Sequence, residues 1–507
     1  MSDSSYTMPQ FPESYWRQET FNDFEKLSQD LTVDVAIVGG GITGITAGYL
    51  LSQKGVKTAI LEAGKILNGT TGHTTAKITS QHGLIYDELI QHFGEEKAKL
   101  YYFSTDDALR FIQKTAANKN IKCDLTEEDA YIYAVTDKYV SKIEKEAEAY
   151  QKLGIPGDLV STIPFDIPIT AALQMKKQAQ FHPLKYLKAL IGDYLQAGGV
   201  IFEQTTAMDI VEDAAPQVIT QNGYKVSCQY IICATHFPFH DKKGFYFARM
   251  YPERSYVIAI KAKKNYPGGM YISVDEPTRS LRSSPFGDEQ LILVGGERHK
   301  TGQGPDTLLH YQALEAFAET TFGIKEYLYR WSAQDLTTLD KIPYIGAVTA
   351  NSPTILVATG YRKWGMTNGT AAAMLLADII LDNDNPYKEL FTPSRFQPDP
   401  SLKEFVSINT NVAGQLLKGK LGFVRKTADD LEKDEGAAVI FNGKRAGAYK
   451  DLEGKLHIVD TTCTHLGCEC EWNHGDRTWD CPCHGSRYSI DGAVIEGPTE
   501  KPLKRLK

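Results

Sequence analysis

Two short runs near the C-terminal end constrain the fold more than any other part of the chain: Cys463-Thr464-His465-Leu466-Gly467-Cys468 and Cys481-Pro482-Cys483-His484-Gly485-Ser486. Five of the eight cysteines lie between residues 463 and 483. Cys-x-His followed by Cys-x-x-His offers two thiolates and two imidazoles, and one small centre can use all four only if the chain brings both loops to one point. Two centres take this donor set. One is tetrahedral zinc. The other is a [2Fe–2S] cluster with two Cys on one iron and two His on the other. Zinc leaves the second cysteine pair, the Gly-Ser and the nearby Tyr488 without a role. The cluster is therefore expected, with Cys463 and Cys481 on one iron and His465 and His484 on the other. Neutral imidazole in place of thiolate removes negative charge and lifts the potential to roughly −150 to +300 mV, against about −400 mV for plant-type all-Cys clusters. Such a chain moves electrons one at a time.

With Ser486 and Tyr488 following the second loop, the segment resembles the high-potential Rieske proteins of respiratory cytochrome complexes. The resemblance implies a disulfide between Cys468 and Cys483 that ties the ligand loops together. It also implies that the two hydroxyls hydrogen-bond cluster sulfurs, which stabilises the reduced form and raises the potential. Cys470 reads as a buried thiol without a role. Cys123, Cys228 and Cys233 are isolated and read as core residues.

At the other end, Val33 to Val38 reads as a buried parallel strand. It runs into Gly39-Gly40-Gly41-Ile42-Thr43-Gly44, a helical stretch to about Lys54, a second strand from Val56 to Leu61, and Glu62. This is Gly-x-Gly-x-x-Gly in the context that makes it a dinucleotide site. Gly39 permits the tight turn, Gly41 lets a pyrophosphate approach the helix N-terminus, and Gly44 permits close helix–strand packing. Glu62, 23 residues after Gly39, is placed to accept from ribose hydroxyls. The fingerprint does not separate FAD from NAD.

Later motifs do. Asp340-Lys341-Ile342-Pro343-Tyr344-Ile345-Gly346 precedes a strand, Ile355 to Ala358, then Thr359-Gly360-Tyr361-Arg362-Lys363-Trp364-Gly365-Met366-Thr367-Asn368-Gly369 and an apolar helix. Together with Gln180-Phe181-His182-Pro183 and Ile231-Ile232-Cys233-Ala234-Thr235, residues 30–385 resemble the D-amino-acid oxidase/glycine oxidase family of FAD enzymes. The resemblance implies an α/β Rossmann-like FAD-binding domain with an antiparallel-sheet substrate domain, here joined to a C-terminal all-β Rieske domain. It implies FAD contacts from Gly39, Gly41, Ile42, Thr43, Gly44, Glu62, Thr71, His73, Thr74, Ala234, Thr235, Gly360, Gly365, Met366 and Thr367. The second glycine turn opens a helix whose N-terminus faces the flavin pyrimidine edge and favours negative charge on the reduced ring. His73 does not match the spacing of covalent flavin attachment in relatives, so the FAD is expected to be non-covalent.

The expected organisation is an arm over 1–30 with Tyr15-Trp16 packed on the flavin domain. FAD-binding segments follow at 31–90, 166–239 and 335–382, and substrate-domain segments at 91–165 and 240–334. A linker and docking helix at 383–423 leads to the Rieske domain at 424–507. A net charge of −8 gives no support for nucleic-acid binding. The first residues lack the basic and apolar regions of a secretory signal, and no apolar run reaches membrane-span length; the expected location is the cytoplasm.

In glycine-oxidase-like relatives a Trp-x-x-x-Arg segment binds the substrate carboxylate. Here it reads Trp331-Ser332-Ala333-Gln334-Asp335, with an acid in the Arg position. Asp335 is accordingly expected to favour a cationic amine such as a polyamine-like substrate, or else to cap a turn or pair with a neighbouring base. Lys363 is a candidate for positioning substrate, or else a solvated loop lysine. Arg279, Arg282, Glu297, Arg298 and His299 surround the strands leading to Gly295-Gly296 and are candidates to line the substrate or domain interface, or else, for most of them, surface ion pairs. His82, His92, His236 and His240 lack the 2-His-1-carboxylate spacing of a mononuclear iron site.

The expected activity is FAD-dependent dehydrogenation of an amine or amino acid. Hydride passes to flavin, and the electrons then pass singly through the cluster to an external acceptor, a protein or a quinone. Two alternatives stand beside it: an electron-transfer or redox-sensing protein without a small organic substrate, and a reductase fed through the cluster.

Overall fold

Val35–Val38 is buried along its whole length, as a central strand covered on both faces must be. A computed structural model describes residues 6–507 of the protein apart from 214, 242 and 423. In it this strand occupies the middle of a six-stranded sheet ordered Tyr344–Ala347, Ile355–Thr359, Tyr230–Cys233, Val35–Val38, Thr58–Leu61 and Val200–Phe202. All neighbours are parallel except the Tyr344–Ala347 edge. The chain leaves Val35–Val38 through the first glycine turn into the helix Ile42–Ser52, and leaves Ile355–Thr359 through the second into Gly365–Ile380. The two helices pack on each other. Both glycine turns thus open at the carboxyl edge of one sheet, where α/β folds bind ligands.

A second, nine-stranded sheet stands over that edge. Its long members are Met250–Ala262, paired antiparallel with both Ile324–Thr338 and Glu289–Lys300. Two segments placed from sequence with the flavin-binding part belong here instead. Ala171–Gln180 pairs with Thr126–Ala134, and Lys77–Ile78 pairs with the end of Ala171–Gln180. The hydrophobic runs alone could not assign them, because a buried strand reads the same in either sheet. Tyr15 and Trp16 are buried, and Trp16 Nε1 donates to the Thr74 carbonyl.

The helix Pro398–Leu421 leads to a C-terminal unit of two small sheets. One contains Glu435–Phe441, Lys444–Lys450 and Leu456–Val459. The other contains Glu471–Asn473, Thr478–Asp480, Arg487–Tyr488 and Val494–Glu496. Among the described residues no helix is long and apolar enough to cross a membrane.

Candidate functional site

The first glycine turn is fixed by backbone contacts. Gly39 has φ +110°, and a Cβ there would stand 2.3 Å from the Ala234 carbonyl oxygen; one on Gly44 would stand 2.0 Å from the Gly39 oxygen. Only glycine lets the strand end, the helix and the neighbouring strand meet this closely. Gly39, Gly41, Ile42 and Thr43 line a continuous cavity of about 2090 Å³. The Ile42 amide donates to Thr71 Oγ1 at 3.1 Å, which ties segment 68–77 to the helix N-terminus. Glu62 accepts Gly40 and Gly64 N–H on its two oxygens, at 2.9 and 2.8 Å. Each oxygen keeps a second lone pair for a ribose hydroxyl.

Most of the other expected contacts lie on the same wall: Thr71, His73, Thr74, Ala234, Thr235, Gly365 and Met366 all line the cavity. Thr367 does not. It is buried, with its hydroxyl donating to the Thr79 carbonyl and lying 2.9 Å from His82 Nε2. It is the third residue of the helix Gly365–Ile380, and its hydroxyl ties the start of the helix to the Thr79 and His82 segment. Gly360, with φ +80°, serves the turn behind the wall, where a Cβ would meet Thr338 Cγ2 at 2.4 Å.

The opposite wall is the ribbon of Met250–Ala262 and Ile324–Thr338. Its register sets Glu253 across from Asp335 and Arg254 across from Gln334. Alternation in a strand sends these pairs to opposite faces. Glu253, Ser255 and Asp335 line the cavity. Asp335 Oδ1 accepts the Lys363 amide at 3.1 Å, and Lys363 Nζ donates to Ser255 Oγ at 2.7 Å. The carboxylate therefore both holds a loop and faces the cavity. Burial raises the Asp335 pKa, with Lys363 opposing, and burial lowers that of Lys363.

Lys77 is a further charged group on this cavity. It is buried, donates to the Tyr271 carbonyl at 2.7 Å and Ser280 Oγ at 2.8 Å, and is pushed down to about 7 by burial and then by Arg282. Arg282 is not the surface residue its neighbourhood suggested. Fully buried, it donates to the carbonyls of Thr75, Ala76 and Phe181 and so holds the segment that carries Thr74.

In the C-terminal unit the two cysteine loops meet. The rings of His465 and His484 stand perpendicular with centroids 5.0 Å apart, and the Nδ1 atom of each is buried without a hydrogen-bond partner. Cys463 and Cys481 are buried beside them, and Cys468 is disulfide-bonded to Cys483. Two orphaned imidazole nitrogens on the same two loops as two buried thiols suit metal ligation, because a buried polar atom left unpaired is costly. Tyr488 Oη lies 3.2 Å from Cys463 Sγ. Ser486 Oγ accepts the Thr499 amide, which leaves its own proton free to donate. Cys470, read as idle, has its sulfur within 4.8 Å of those of both Cys463 and Cys481. Its sequence offset from Cys468 gave no sign of this.

Comparison with known proteins agrees with this geometry. Residues 34–379 match the family described as FAD dependent oxidoreductase, and residues 423–507 match the Rieske [2Fe-2S] domain. The chain belongs to the FAD-dependent oxidoreductase family and carries a C-terminal Rieske domain. It is 50% identical over 496 residues, 98% of this chain and 97% of the relative, to the Rieske 2Fe-2S iron-sulfur protein YhfW of Bacillus subtilis (strain 168). It is 23% identical over 385 residues to gamma-glutamylputrescine oxidoreductase of Escherichia coli (strain K12), covering 70% of this chain and 85% of the relative. The fold is similar to that of glycine oxidase from Geobacillus kaustophilus, with a TM-score of 0.61 at 17% identity over 72% of this chain and 99% of that one. The cofactors are accordingly FAD and a [2Fe–2S] cluster. The cavity with its open helix N-terminus fits the first, and the Cys/His pocket fits the second.

The Rieske domain is docked on the ribbon's other face. Gln334 Nε2 donates to the Gly485 carbonyl at 2.9 Å, one residue beyond His484. Gly485 has φ +80°, and a Cβ there would stand 2.6 Å from Pro252 Cβ. Arg254, fully buried, lies 3.6, 3.6 and 3.4 Å from the carboxylates of Asp476, Asp480 and Glu496. Arg487 pairs with the same three acids at 3.1, 3.2 and 3.1 Å. Burial works to raise the Asp476 pKa, but Arg487 and Arg254 outweigh it and hold the carboxyl below its ordinary range. Phe247 packs edge-on against both His465 and His484. Residues 493–499 of the Rieske domain also line the flavin-side cavity.

Proposed function

We propose that this protein is a dehydrogenase that oxidises the C–N bond of an amine, with electrons leaving through the Rieske domain to an external acceptor. When bound, FAD supplies a hydride acceptor and the [2Fe–2S] cluster a one-electron carrier. The observation that carries the reading is the two-faced ribbon. Glu253 and Asp335 face the cavity, while Arg254 and Gln334, their sequence neighbours, hold the domain that contains the iron ligands.

The chain's own residues supply binding and proton handling. Asp335 Oδ2, left free by the Lys363 amide on Oδ1, pairs with a substrate ammonium. Because burial raises its pKa, the same oxygen is suited to take the proton that the ammonium must lose before oxidation. Glu253, directly across the ladder, adds a second negative charge for a distal cation. The names of the relatives, a gamma-glutamylputrescine oxidoreductase and a glycine oxidase, support C–N bond oxidation. The acid at position 335 favours the amine over a simple amino acid.

The test is anaerobic mixing of the full-length protein with diamines, monoamines, and neutral and acidic amino acids, with flavin bleaching as the readout. Diamines are expected to bleach at the lowest concentrations. Preferential bleaching by acidic amino acids would overturn the assignment of Asp335 and Glu253.

A further inference from the structure

His236 combines three features that the flavin site as described leaves unexplained. Its backbone is left-handed, with φ +64°, a conformation that costs a branched or bulky residue and suits glycine. Its Nε2 is buried without a hydrogen-bond partner. The residue lines the cavity. Strain and an unpaired buried polar atom each cost stability, and both collect where a ligand completes the site.

Its place in the sheet says which ligand. Tyr230–Cys233 lies between Val35–Val38 and Ile355–Thr359, so the segment leaving it, Ala234-Thr235-His236, emerges between the two glycine turns. A molecule that spans both turns passes this residue. The backbone is pinned there, since the Ala234 carbonyl rests against Gly39 and Thr359 Oγ1 donates to the His236 carbonyl. Asp335 and Glu496 lie within electrostatic reach from the ribbon and from the Rieske domain, yet neither forms an ion pair or hydrogen bond with the ring. Arg362, on the neighbouring loop, shares the left-handed backbone, but its guanidinium is anchored on the His82 carbonyl. His236 has no such anchor for Nε2.

We propose that His236 is an FAD-binding residue whose Nε2 hydrogen-bonds the cofactor between the two glycine turns. Glycine relieves the backbone and removes the ring, so His236→Gly separates the two roles. His236→Gln keeps a side-chain donor at similar reach. The experiment uses the full-length protein with its cluster and follows FAD release on dilution by the rise of free-flavin fluorescence. It is paired with the thermal midpoint of the flavin-free protein.

The expected result is at least tenfold weaker FAD binding in His236→Gly, with a flavin-free thermal midpoint equal to or above wild type, and His236→Gln within threefold of wild type. FAD binding within threefold of wild type in His236→Gly would overturn the proposal. So would a lowered flavin-free midpoint in that variant, or equal losses in both variants, because either outcome assigns the ring a packing role.

Discussion

The two faces of the ribbon formed by Met250–Ala262 and Ile324–Thr338 are built to opposite rules. On one, Glu253 and Asp335 look into an open cavity. On the other, Arg254 is fully buried among three carboxylates shared with Arg487. The cavity face leaves charge incompletely matched, as a surface that exchanges a charged ligand requires. The docking face matches two guanidinium groups against three acids with hydroxyls from Ser332 and Tyr311 on Asp476. Burying such charges is costly unless every one is paired. The contrast teaches that the Rieske domain is held in one place against the substrate-side sheet. Gln334 meets Gly485, one residue beyond His484, and Phe247 packs on the His465 and His484 rings.

The sharpest way to break the docked side is at the centre it carries. Replacing Cys481 with Ala should abolish cluster-bound iron while FAD remains bound, measured by iron content and flavin absorbance. Next is the interface. Removing Arg254 leaves buried carboxylates short of a partner, so Arg254→Ala should cost about 3–5 kcal/mol in denaturant unfolding, with the Rieske domain released first. The disulfide closes a loop between residues 15 apart. The double change Cys468→Ala, Cys483→Ala should cost about 3 kcal/mol, seen as a reduced midpoint for loss of the cluster's visible spectrum.

The cavity face should respond in binding and not in folding. Asp335→Asn is expected to raise the amine concentration for half-maximal flavin bleaching about tenfold, equivalent to about 1.4 kcal/mol, with little change in unfolding. The smallest effect concerns Lys77. Its folded pKa lies at about 7, below the ordinary value of 10.5. Above pH 7 the unfolded chain therefore binds more protons at this residue than the folded one, so its contribution to stability rises with pH toward 10.5. Near pH 7.5 the slope is about 1 kcal/mol per pH unit. Comparing Lys77→Met with wild type at pH 7 and pH 8 should show that slope only in wild type.

Local spacing explains what was legible in the sequence. The glycine turn, the four Cys/His donors and the cysteine pair each depend on residues a few positions apart, and a loop brings these together wherever it sits. Glu253 meets Asp335, and Lys77 reaches the cavity, only through strand pairing across long stretches of chain. Nothing in the sequence of Lys77–Ile78 or Ala171–Gln180 tells a buried strand of the second sheet from one of the first. Arg282 read as a surface charge for the same reason: the carbonyls that satisfy it come from two other segments. Cys470 comes near the other two thiols because Glu469 bridges to Thr462 and the Cys470 amide donates to the Thr461 carbonyl, a pairing the spacing does not give.

Under the proposed function, the cavity and the cluster work as one unit within a fixed assembly. The direct test is a single turnover. The oxidised full-length protein is mixed without oxygen with a bleaching amine, flavin absorbance is followed in time, and samples are frozen for electron paramagnetic resonance. The reduced-cluster signal should grow as flavin bleaches, at a rate independent of protein concentration. Bleached flavin with a cluster that stays oxidised, or one reduced only in proportion to protein concentration, would contradict it.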